Sequence, residues 1–497
     1  MKINKFILTV VLAVVFTACD DRLDLLPISD ESSSTAFTTP NQIEAALIGA
    51  YDAFGGSTEN FYNEYYQWDV LNFQETRADN CYAGGDTPEL FAIDFLNIVS
   101  TNTRLTWHWG ALYSVIGKVN NILERAPLIE DEEFQESRRD ELMGEAYFLR
   151  AYHYYHLVTM WSGVPIITSA TVSTEPEDIH LFRSTSDEVY AQIMADLELA
   201  IANLPQQYSS VAETKSRATF GAANALAAKA SLQKPTPDYQ AALSYINALE
   251  SSSAGYRLLD NYNELFDGNN ENNAESIMEM QFTGGTEGSF RGQLTLPPSL
   301  SGDQWRKFMT PSQDLIAAYQ REGDNVRLNA SVIFESAPWI DEYWGNAINS
   351  TIPFVYKWKT AGGWASDNNN YLFRYADMVL LKAEALNGLG SINEAAAEVN
   401  RVRNRVNLAD LPASATASQA AMRQAILDER RLELAFEGER WNDLVRNNAI
   451  ISTMNSLREI DLRTSDPVEY NMTEDKIYVP IPQTEMDLNP NLEQGRM

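Results

Sequence analysis

The sequence Leu380-Leu-Lys-Ala-Glu-Ala-Leu386, followed after a short break by Ile392-Asn-Glu-Ala-Ala396, carries the strongest structural signal in the chain. A similar pair occurs earlier, where Leu226-Ala-Ala-Lys-Ala-Ser-Leu232 is followed by Tyr239-Gln-Ala-Ala242. The two gaps differ by about one residue, which indicates an internal repeat. Alanine-rich helices can pack closely because the methyl side chain lets two backbones approach. The pattern therefore predicts pairs of helices that stack on one another.

The helical pattern extends beyond this repeat. Apolar residues at three- and four-residue steps predict helices over 137–161, 219–233 and 238–250. The sequence Leu149-Arg-Ala-Tyr-His-Tyr-Tyr155 is a third candidate for the first helix of a pair. Helix pairs of about 34 residues are typical of tetratricopeptide-like units. The alternative is a bundle of amphipathic helices in which the same spacing arises by chance.

The first residues of the chain predict export and a lipid anchor. Lys2 and Lys5 precede an apolar run over 6–16, which suits a secretory signal and is too short to span a bilayer. Ala18 followed by Cys19 resembles a bacterial lipoprotein box, so residues 1–18 are the predicted signal peptide and Cys19 the predicted lipidation site. Several acyl chains on one residue give stable anchoring. The alternative is an ordinary signal peptide that is cut elsewhere.

Residues 19–40 are rich in Ser, Thr, Asp and Pro, and they predict a tether between the membrane and the folded body. Asp20 and Asp21 resemble the acidic signal that sends Bacteroidetes-type lipoproteins to the outer face of the outer membrane. The lipid on Cys19 is the predicted membrane attachment, since no other stretch approaches eighteen apolar residues.

Composition excludes several classes of protein. The formal net charge is −32, which argues against a nucleic-acid partner because phosphate binding needs a basic surface. The chain has two cysteines, and a lipidated Cys19 leaves Cys81 without a partner for a disulfide, so Cys81 is predicted to be a buried small hydrophobe. We predict no cofactor and no metal site. His153 and His156 and the acidic loop over 267–275 are interpreted as structural.

Residues 255–370 differ from the helical segments on either side. They are rich in Gly, Asn, Ser and Pro, and they contain five of the ten tryptophans, namely Trp305, Trp339, Trp344, Trp358 and Trp364. A loop-rich insertion on a rigid scaffold is where binding residues concentrate. The sequence thus predicts an N-terminal helical scaffold over 41–254, an irregular ligand-binding insertion with minor β structure over 255–370, and C-terminal helices with a tail over 371–497.

Four segments resemble the SusD/RagB family of surface glycan-binding lipoproteins. They are residues 149–157 with 161–166, residues 373–387 with 396–405, the sequence Asp428-Glu-Arg-Arg-Leu-Glu-Leu-Ala-Phe-Glu-Gly-Glu-Arg-Trp-Asn-Asp-Leu-Val-Arg446, and the tail over 481–491. They occur in family order along nearly the whole chain. The charged residues of the third segment are also predicted to form a buried ion network.

The resemblance implies a mainly α fold with tetratricopeptide-like helix pairs and an irregular subdomain that holds the ligand. It also implies a non-enzymatic, outer-membrane lipoprotein on the cell surface, which captures an oligosaccharide and delivers it to a SusC-like TonB-dependent barrel. One alternative is a tetratricopeptide-like scaffold that binds peptide or protein. Another is a surface glycoside hydrolase, although the chain contains none of the common catalytic motifs.

Sugar recognition suggests which side chains contact a ligand. Aromatic rings stack on the C–H face of a sugar, and polar side chains bond its hydroxyl groups. The resemblance places ligand contacts by region, in the loop after the first helical segment and in the insertion. We therefore expect Trp305 and Tyr82 as stacking platforms and Arg77, Asp79 and Asn80 as polar contacts, with further platforms in reserve at Trp339, Trp344 and Trp364. The alternative for each tryptophan is a place in the core.

Overall fold

The protein is described by a computed structural model, which covers residues 37–55, 65–171, 173 and 175–495. The predicted signal peptide, Cys19 and the tether as far as residue 36 lie outside the described residues. The prediction of a mainly α fold is confirmed. The helices are α1 (Pro40–Gly55), α2 (Pro88–Asp94), α3 (Thr103–Arg125), α4 (Glu136–Trp161), α5 (Pro176–Ile179), α6 (Ser186–Asn203), α7 (Val211–Ser216), α8 (Phe220–Gln233), α9 (Tyr239–Glu250), α10 (Arg291–Thr295), α11 (Pro298–Ser301), α12 (Gln313–Glu322), α13 (Asn325–Ser331), α14 (Tyr375–Gly388), α15 (Ile392–Arg405), α16 (Gln419–Leu434), α17 (Arg440–Arg446), α18 (Ile450–Ser456) and α19 (Gln483–Leu488).

The β structure consists of two-stranded antiparallel pairs. The pairs are β1 (Cys81–Ala83) with β3 (Met309–Pro311), β2 (Ser276–Met280) with β6 (Asn370–Arg374), β4 (Val332–Ser336) with β5 (Thr351–Val355), and β7 (Ile460–Asp461) with β8 (Asp466–Pro467). Across the residues that the structure describes, every helix is too short or too polar to cross a membrane.

The repeat predicted from the sequence forms three stacked helix pairs, α4 with α6, α8 with α9, and α14 with α15. The predicted helix boundaries agree with the structure to within one residue, because side chains that favour helix starts stand at the right places. Thr219 Oγ1 accepts from the backbone N–H of Ala222 at the start of α8, and Asp238 Oδ1 accepts from Ala241 at the start of α9. Tetratricopeptide-like stacking of helix pairs is thus present.

A glycine permits the close contact between successive pairs. Gly388, at the end of α14, lies against the ring of Tyr239 at the start of α9. A Cβ at this position would lie 2.5 Å from the ring, which no real side chain tolerates. The second pair therefore contacts the third at a point where only glycine fits.

The predicted insertion joins the scaffold through its ends and through the N-terminal segment. Strand β2, near its start, pairs with β6, which leads directly into α14. Strand β1 precedes the stacked helix pairs in sequence and pairs with β3 inside the insertion. The minor β structure predicted for the insertion is present as β2, β3, β4 and β5.

A buried ion network connects α16 to the insertion, as the charged segment over 428–446 predicted. Both carboxylate oxygens of Glu433 bond guanidinium groups: Arg374 Nη1 lies 2.6 Å from Oε1, and Arg327 Nη1 lies 3.1 Å from Oε2. Arg405 donates to the same carboxylate. Arg374 also binds Glu275, which immediately precedes β2. The side chains of these residues are almost fully buried, so the network is enclosed.

The electrostatic balance of this network favours the charged form of Glu433. Burial alone would raise the pKa of the carboxyl group, but Arg405, Arg374 and Arg327 outweigh burial and hold its pKa far below the ordinary value. The carboxylate of Glu433 is enclosed, so water cannot replace a guanidinium partner that moves away. The network thus fixes β6, α13, α15 and α16 relative to one another.

The first prediction concerns the stability contribution of Glu433. Glu433→Gln removes the one carboxylate that Arg327, Arg374 and Arg405 share and leaves each of them only its remaining carboxylate partners, so we expect the free energy of unfolding to fall by about 3–5 kcal/mol. Chemical denaturation measures the change. Glu322→Gln is the matched control, because Glu322 pairs with Arg403 while 38% exposed and is expected to cost less than about 1 kcal/mol. Equal losses in the two variants would contradict the role of the network.

Candidate functional site

The pairing of β1 with β3 brings together the two segments that were predicted to bind ligand. Tyr82 lies opposite Thr310, and Gly84 and Gly85 follow β1 directly beneath residues 307 and 308. A Cβ on Gly84 would lie 1.9 Å from the carbonyl oxygen of Lys307, so this approach requires glycine. The loop after the first helical segment and the insertion therefore form one continuous region.

Within that region, two of the three predicted polar contacts, Asp79 and Asn80, are internal. Asp79 is 2% exposed, and Arg440 Nε donates to its Oδ1 over 2.7 Å. Asn80 is 1% exposed and bonds Glu75 and Arg431. The Arg440 and Arg431 guanidinium groups, working against burial, hold the pKa of Asp79 well below its usual range. Asp79 and Asn80 thus hold the loop in place, and they are not part of the surface that we propose for the ligand.

Arg77 and Tyr82 are also turned inward. Arg77 stacks on Trp441, with the guanidinium carbon 3.8 Å from the ring centroid, and belongs to a different cavity. Tyr82 is 2% exposed, and its hydroxyl group donates to Asp341 Oδ2 over 2.8 Å. A ring enclosed on this scale cannot stack on a sugar, so the expectation that Tyr82 is a platform does not fit the structure. Its function is to position the loop around Asp341.

Trp305 and Trp364 form a stacked pair on the insertion. Their ring centroids are 6.3 Å apart with an interplanar angle of 30°, and Trp364 is 43% exposed. Trp364 projects from a tight turn in which its own φ is +75°, a conformation that is uncommon for a bulky residue. Lys307 Nζ lies 4.0 Å from the centroid of the Trp305 ring, and Phe308 contacts the same ring edge-on. We call Trp305 and Trp364 the aromatic pair.

Lys307 supports the aromatic pair from below. Its Nζ donates to the Ser301 hydroxyl over 2.8 Å and to the Gln293 carbonyl over 3.3 Å. Burial lowers the pKa of Lys307 to about 8, and Asp303 opposes this shift. The ammonium group is thus held under the indole by short-range contacts, where it attracts the negative face of the ring.

The remaining predicted tryptophans lie on the loop over 339–345, which Asp341 organises. Asp341 accepts from the backbone N–H of Tyr343 and Trp344 in addition to the Tyr82 hydroxyl. Trp344 contacts Phe334 edge-on at 6.5 Å, and Trp339 contacts Phe354 at 6.1 Å. Both indoles are half-buried, so each covers part of the core of the insertion and leaves part of its ring at the surface.

Arg306 links the aromatic pair to this second loop, a role that the sequence did not indicate. Its Nη2 donates to the Ile340 carbonyl over 2.7 Å, and Nη1 donates to the Leu462 carbonyl over 3.1 Å. Sequence reasoning also missed Phe308 and Phe334, the latter 42% exposed on β4. Adjacency to Trp305 was a usable signal for Phe308, whereas Phe334 was recognisable only through strand pairing.

The residues examined as metal ligands make internal contacts. His153 Nδ1 lies 2.7 Å from the Leu149 carbonyl oxygen, and His156 Nδ1 lies 3.0 Å from the Tyr65 hydroxyl group. Burial lowers the pKa of His153 to about 4, so the ring is neutral. In the acidic loop, Asp267 accepts from Asn269 and Asn270 within the same turn. Across the described ranges, no group of three or more His, Cys, Asp or Glu side chains could hold a metal ion.

Comparison with known proteins identifies the family. Residues 336–496 match the SusD family, and residues 21–232 match a family described as starch-binding and associating with the outer membrane. SusD-like protein P38 of Formosa agariphila is 30% identical over 526 residues, which cover 97% of this chain and 96% of that protein. The chain belongs to the SusD family.

Solved structures of SusD-like proteins share this fold. A SusD superfamily protein from Bacteroides vulgatus superposes with a TM-score of 0.78 at 22% identity, covering 93% of this chain and 99% of the other. A laminarin-binding SusD-like protein superposes with a TM-score of 0.74 at 26% identity, covering 92% of this chain and 99% of the other. The overall fold described above is thus shared with these two SusD-like proteins.

A pair of buried carboxyl groups lies close to β1 in this SusD-family chain. Asp94 Oδ2 accepts from the backbone N–H of Ala83 over 2.7 Å, and the Tyr470 hydroxyl donates to Glu459. The second oxygen of each carboxyl group is buried without a hydrogen-bond partner among the described residues. Burial raises the pKa of Asp94 to about 8 and, together with the charge of Asp94, raises that of Glu459. The pair therefore favours protonated forms.

The second prediction follows from the sign of these shifts. A carboxyl group with a raised pKa binds its proton more tightly in the folded state, so its contribution to stability falls as the pH rises from about 4 to 8. Asp94→Asn removes that loss, and we expect the fall in the free energy of unfolding between pH 5 and pH 8 to be smaller than in the unmodified protein by about 2–4 kcal/mol. Denaturation at several pH values measures this change. The exposed Asp410→Asn is the control, and an unchanged slope in Asp94→Asn would contradict the assignment.

Proposed function

We propose that this SusD-family protein is a cell-surface lipoprotein that binds an oligosaccharide through the aromatic pair and passes it to a SusC-like TonB-dependent barrel. The observation that carries the proposal is the stacked pair of Trp305 and Trp364, of which Trp364 is 43% exposed. An exposed indole stacked against a second, half-buried indole offers a flat apolar face that a ligand can cover.

The chemistry of the surface fits a sugar. The indole of Trp364 offers a flat apolar face for the C–H groups of a pyranose ring, and polar side chains can bond its hydroxyl rim. Asp303 and Gln304 precede the aromatic pair in sequence, and Gln304 is exposed. Shallow stacking of this kind needs no enclosed pocket and no shifted pKa.

Membership of the family supports the location and the partner. One matched family is described as associating with the outer membrane, and the signal peptide with Cys19 predicts attachment through lipid. Delivery to a SusC-like barrel is the corresponding proposal for the partner. Trp339 and Trp344 are proposed as secondary platforms, because their loop is tied to the aromatic pair through Arg306.

We propose that the protein binds its oligosaccharide without cleaving it. The shifted carboxyl groups of Asp94 and Glu459 are fully enclosed, whereas a hydrolase needs two carboxyl groups facing its sugar. The alternative of a peptide-binding scaffold has a different test, since a peptide would bind to the grooves between helix pairs and would not depend on Trp364.

The third prediction tests the aromatic pair. Trp364→Ala removes the exposed stacking face, and we expect binding of the cognate glycan to weaken by about 1–3 kcal/mol, with base stacking on aromatic rings as the nearest measured analogue. Trp305→Ala should have an effect of the same order. Laminarin is the first candidate ligand, because a relative of 26% identity is a laminarin-binding protein, and a glycan array provides others. Calorimetry measures the affinity.

Trp107→Ala is the matched control, because Trp107 is a half-exposed indole on α3, outside the insertion. It should leave glycan affinity unchanged. Unchanged affinity in both Trp364→Ala and Trp305→Ala would exclude the aromatic pair from the site. Release of reducing sugar from the bound glycan, abolished by changing a single carboxylate, would favour a hydrolase.

The fourth prediction tests the anchor. Cys19→Ser removes the thiol that is proposed to carry lipid, and we expect the protein to move from the membrane fraction to the soluble fraction. Cys81→Ala is the control, since Cys81 is fully buried and should leave fractionation unchanged. Continued association of Cys19→Ser with membranes would contradict a lipid anchor at this residue. Fractionation with metabolic labelling by a fatty acid measures both.

A further inference from the structure

A cavity of about 480 Å³ lies between the C-terminal tail and the scaffold. Its walls are residues 96–99 after α2, the end of α4 at Trp161, and tail residues 474–481. Small-molecule sites occupy roughly 300–1,000 Å³, so this cavity has the size of a ligand site. Trp305 and Trp364 do not line it, which makes it separate from the aromatic pair.

Two buried guanidinium groups, those of Arg77 and Arg183, line the cavity. Arg77 is 3% exposed and Arg183 is 8% exposed. Nη2 of Arg77 donates to the carbonyl oxygen of Lys476 over 2.8 Å, while its Nε is buried and has no hydrogen-bond partner within the described chain. Arg183 donates only to carbonyl oxygens, including those of Gly163 and Trp161.

Neither guanidinium group forms an ion pair with a carboxylate in the part of the chain that the structure describes. By contrast, the buried Arg327, Arg374 and Arg430 each bind two or more carboxylates. Carbonyl dipoles satisfy hydrogen bonds but do not neutralise charge. Because no carboxylate offsets burial, the pKa of Arg77 falls to about 9.

Arg291 is a third buried arginine without a carboxylate partner among the described residues, but it lacks a cavity large enough for an organic ligand. It is also buried and bonded to carbonyl oxygens, those of Gln67 and Tyr66. The two cavities that it lines measure about 30 and 40 Å³, which is room for little more than water. Of the three cavities compared, the one beside Arg77 and Arg183 combines buried arginines that lack a carboxylate partner with enough volume for an organic ligand.

We propose that this cavity is a second binding site, which takes the carboxylate of an acidic sugar. The carboxylate would bind the guanidinium groups, and apolar side chains such as Ile98 and Val479 would cover the ring. The exposed carboxylates of Glu474 and Asp475 stand at the mouth, where solvent and salt screen their repulsion. The acidic sugar is either a free uronic acid or the uronic acid at the end of an oligosaccharide.

The fifth prediction concerns the ligand of this cavity. Calorimetry at pH 7 and fixed ionic strength compares the binding of galacturonate with that of galactose. We expect galacturonate to bind at least tenfold more tightly than galactose, because only the former brings a carboxylate to the buried cations. Digalacturonate distinguishes the two sources: tighter binding than galacturonate assigns the site to chain ends, and equal binding assigns it to the free sugar. Equal affinity for galacturonate and galactose, or no binding of galacturonate, overturns the proposal.

Two variants locate the binding. Val99→Trp fills the cavity from a residue that is 59% exposed, and Val211→Trp places the same bulk on α7 from a residue that is 63% exposed. We expect at least tenfold weaker galacturonate binding in Val99→Trp and unchanged binding in Val211→Trp. Retained binding in Val99→Trp would refute the site, and this variant does not disturb a buried charge.

Arg77→Met tests the charge itself, with Arg291→Met as the control for loss of a buried arginine bonded to carbonyl oxygens. Thermal melting verifies that each variant is folded. We expect Arg77→Met to lose galacturonate binding by about 10- to 100-fold and Arg291→Met to keep it. Trp364→Ala should also keep it, so failure of this site and failure of the aromatic pair are distinguishable.

Discussion

The shared carboxylate of Glu433 is the constraint on which the rest of the architecture depends. It joins three guanidinium groups that come from β6, α13 and α15. These three elements are therefore all tied to α16, which carries Glu433. A buried charge of this kind tolerates few alternative arrangements, because every partner that moves leaves another unpaired. The insertion therefore has a defined orientation on the scaffold. Rings displayed by the insertion inherit that orientation, which limits the conformational entropy lost when a ligand stacks on them.

The scaffold was predictable because its signals are local. Helices α8 and α9 begin immediately after Thr219 and Asp238, and the side chains of both residues cap the helix that follows. The apolar period of three to four residues and the Pro-containing break between the two helices lie within a few residues of each other in sequence. The buried ion network was likewise visible as a dense run of charges in one helical segment. Such features need no knowledge of distant parts of the chain.

The side chains of the site were less predictable because their environment is set from far away. Tyr82 and Asn80 have the residue types of sugar ligands, yet Tyr82 is bound by Asp341 and Asn80 by Arg431. No local sequence pattern indicates hydrogen-bond partners that lie hundreds of residues further along the chain. The sequence brought attention to two segments that the structure places together, since β1 pairs with β3 next to Trp305, but the burial of all three residues of β1 became evident only from that pairing. Trp364, which the sequence analysis placed among the reserve platforms, is 43% exposed and has a φ of +75°, and neither property is visible in the local sequence.

Charge composition gives meaning to the few arginines without acidic partners. The chain has 69 acidic and 37 basic residues, so acidic partners are plentiful for every buried base. Buried arginines on β6 and α16 bind such acidic partners, as Arg374 and Arg430 do. An arginine buried without such a partner bears a desolvation cost that folding alone does not offset. Where that arginine faces only water-sized space, as Arg291 does, carbonyl oxygens, a nearby ring and the charge of Glu437 stabilise it in part. Beside a cavity of about 480 Å³, the carboxylate that we propose as a ligand would supply the missing negative charge.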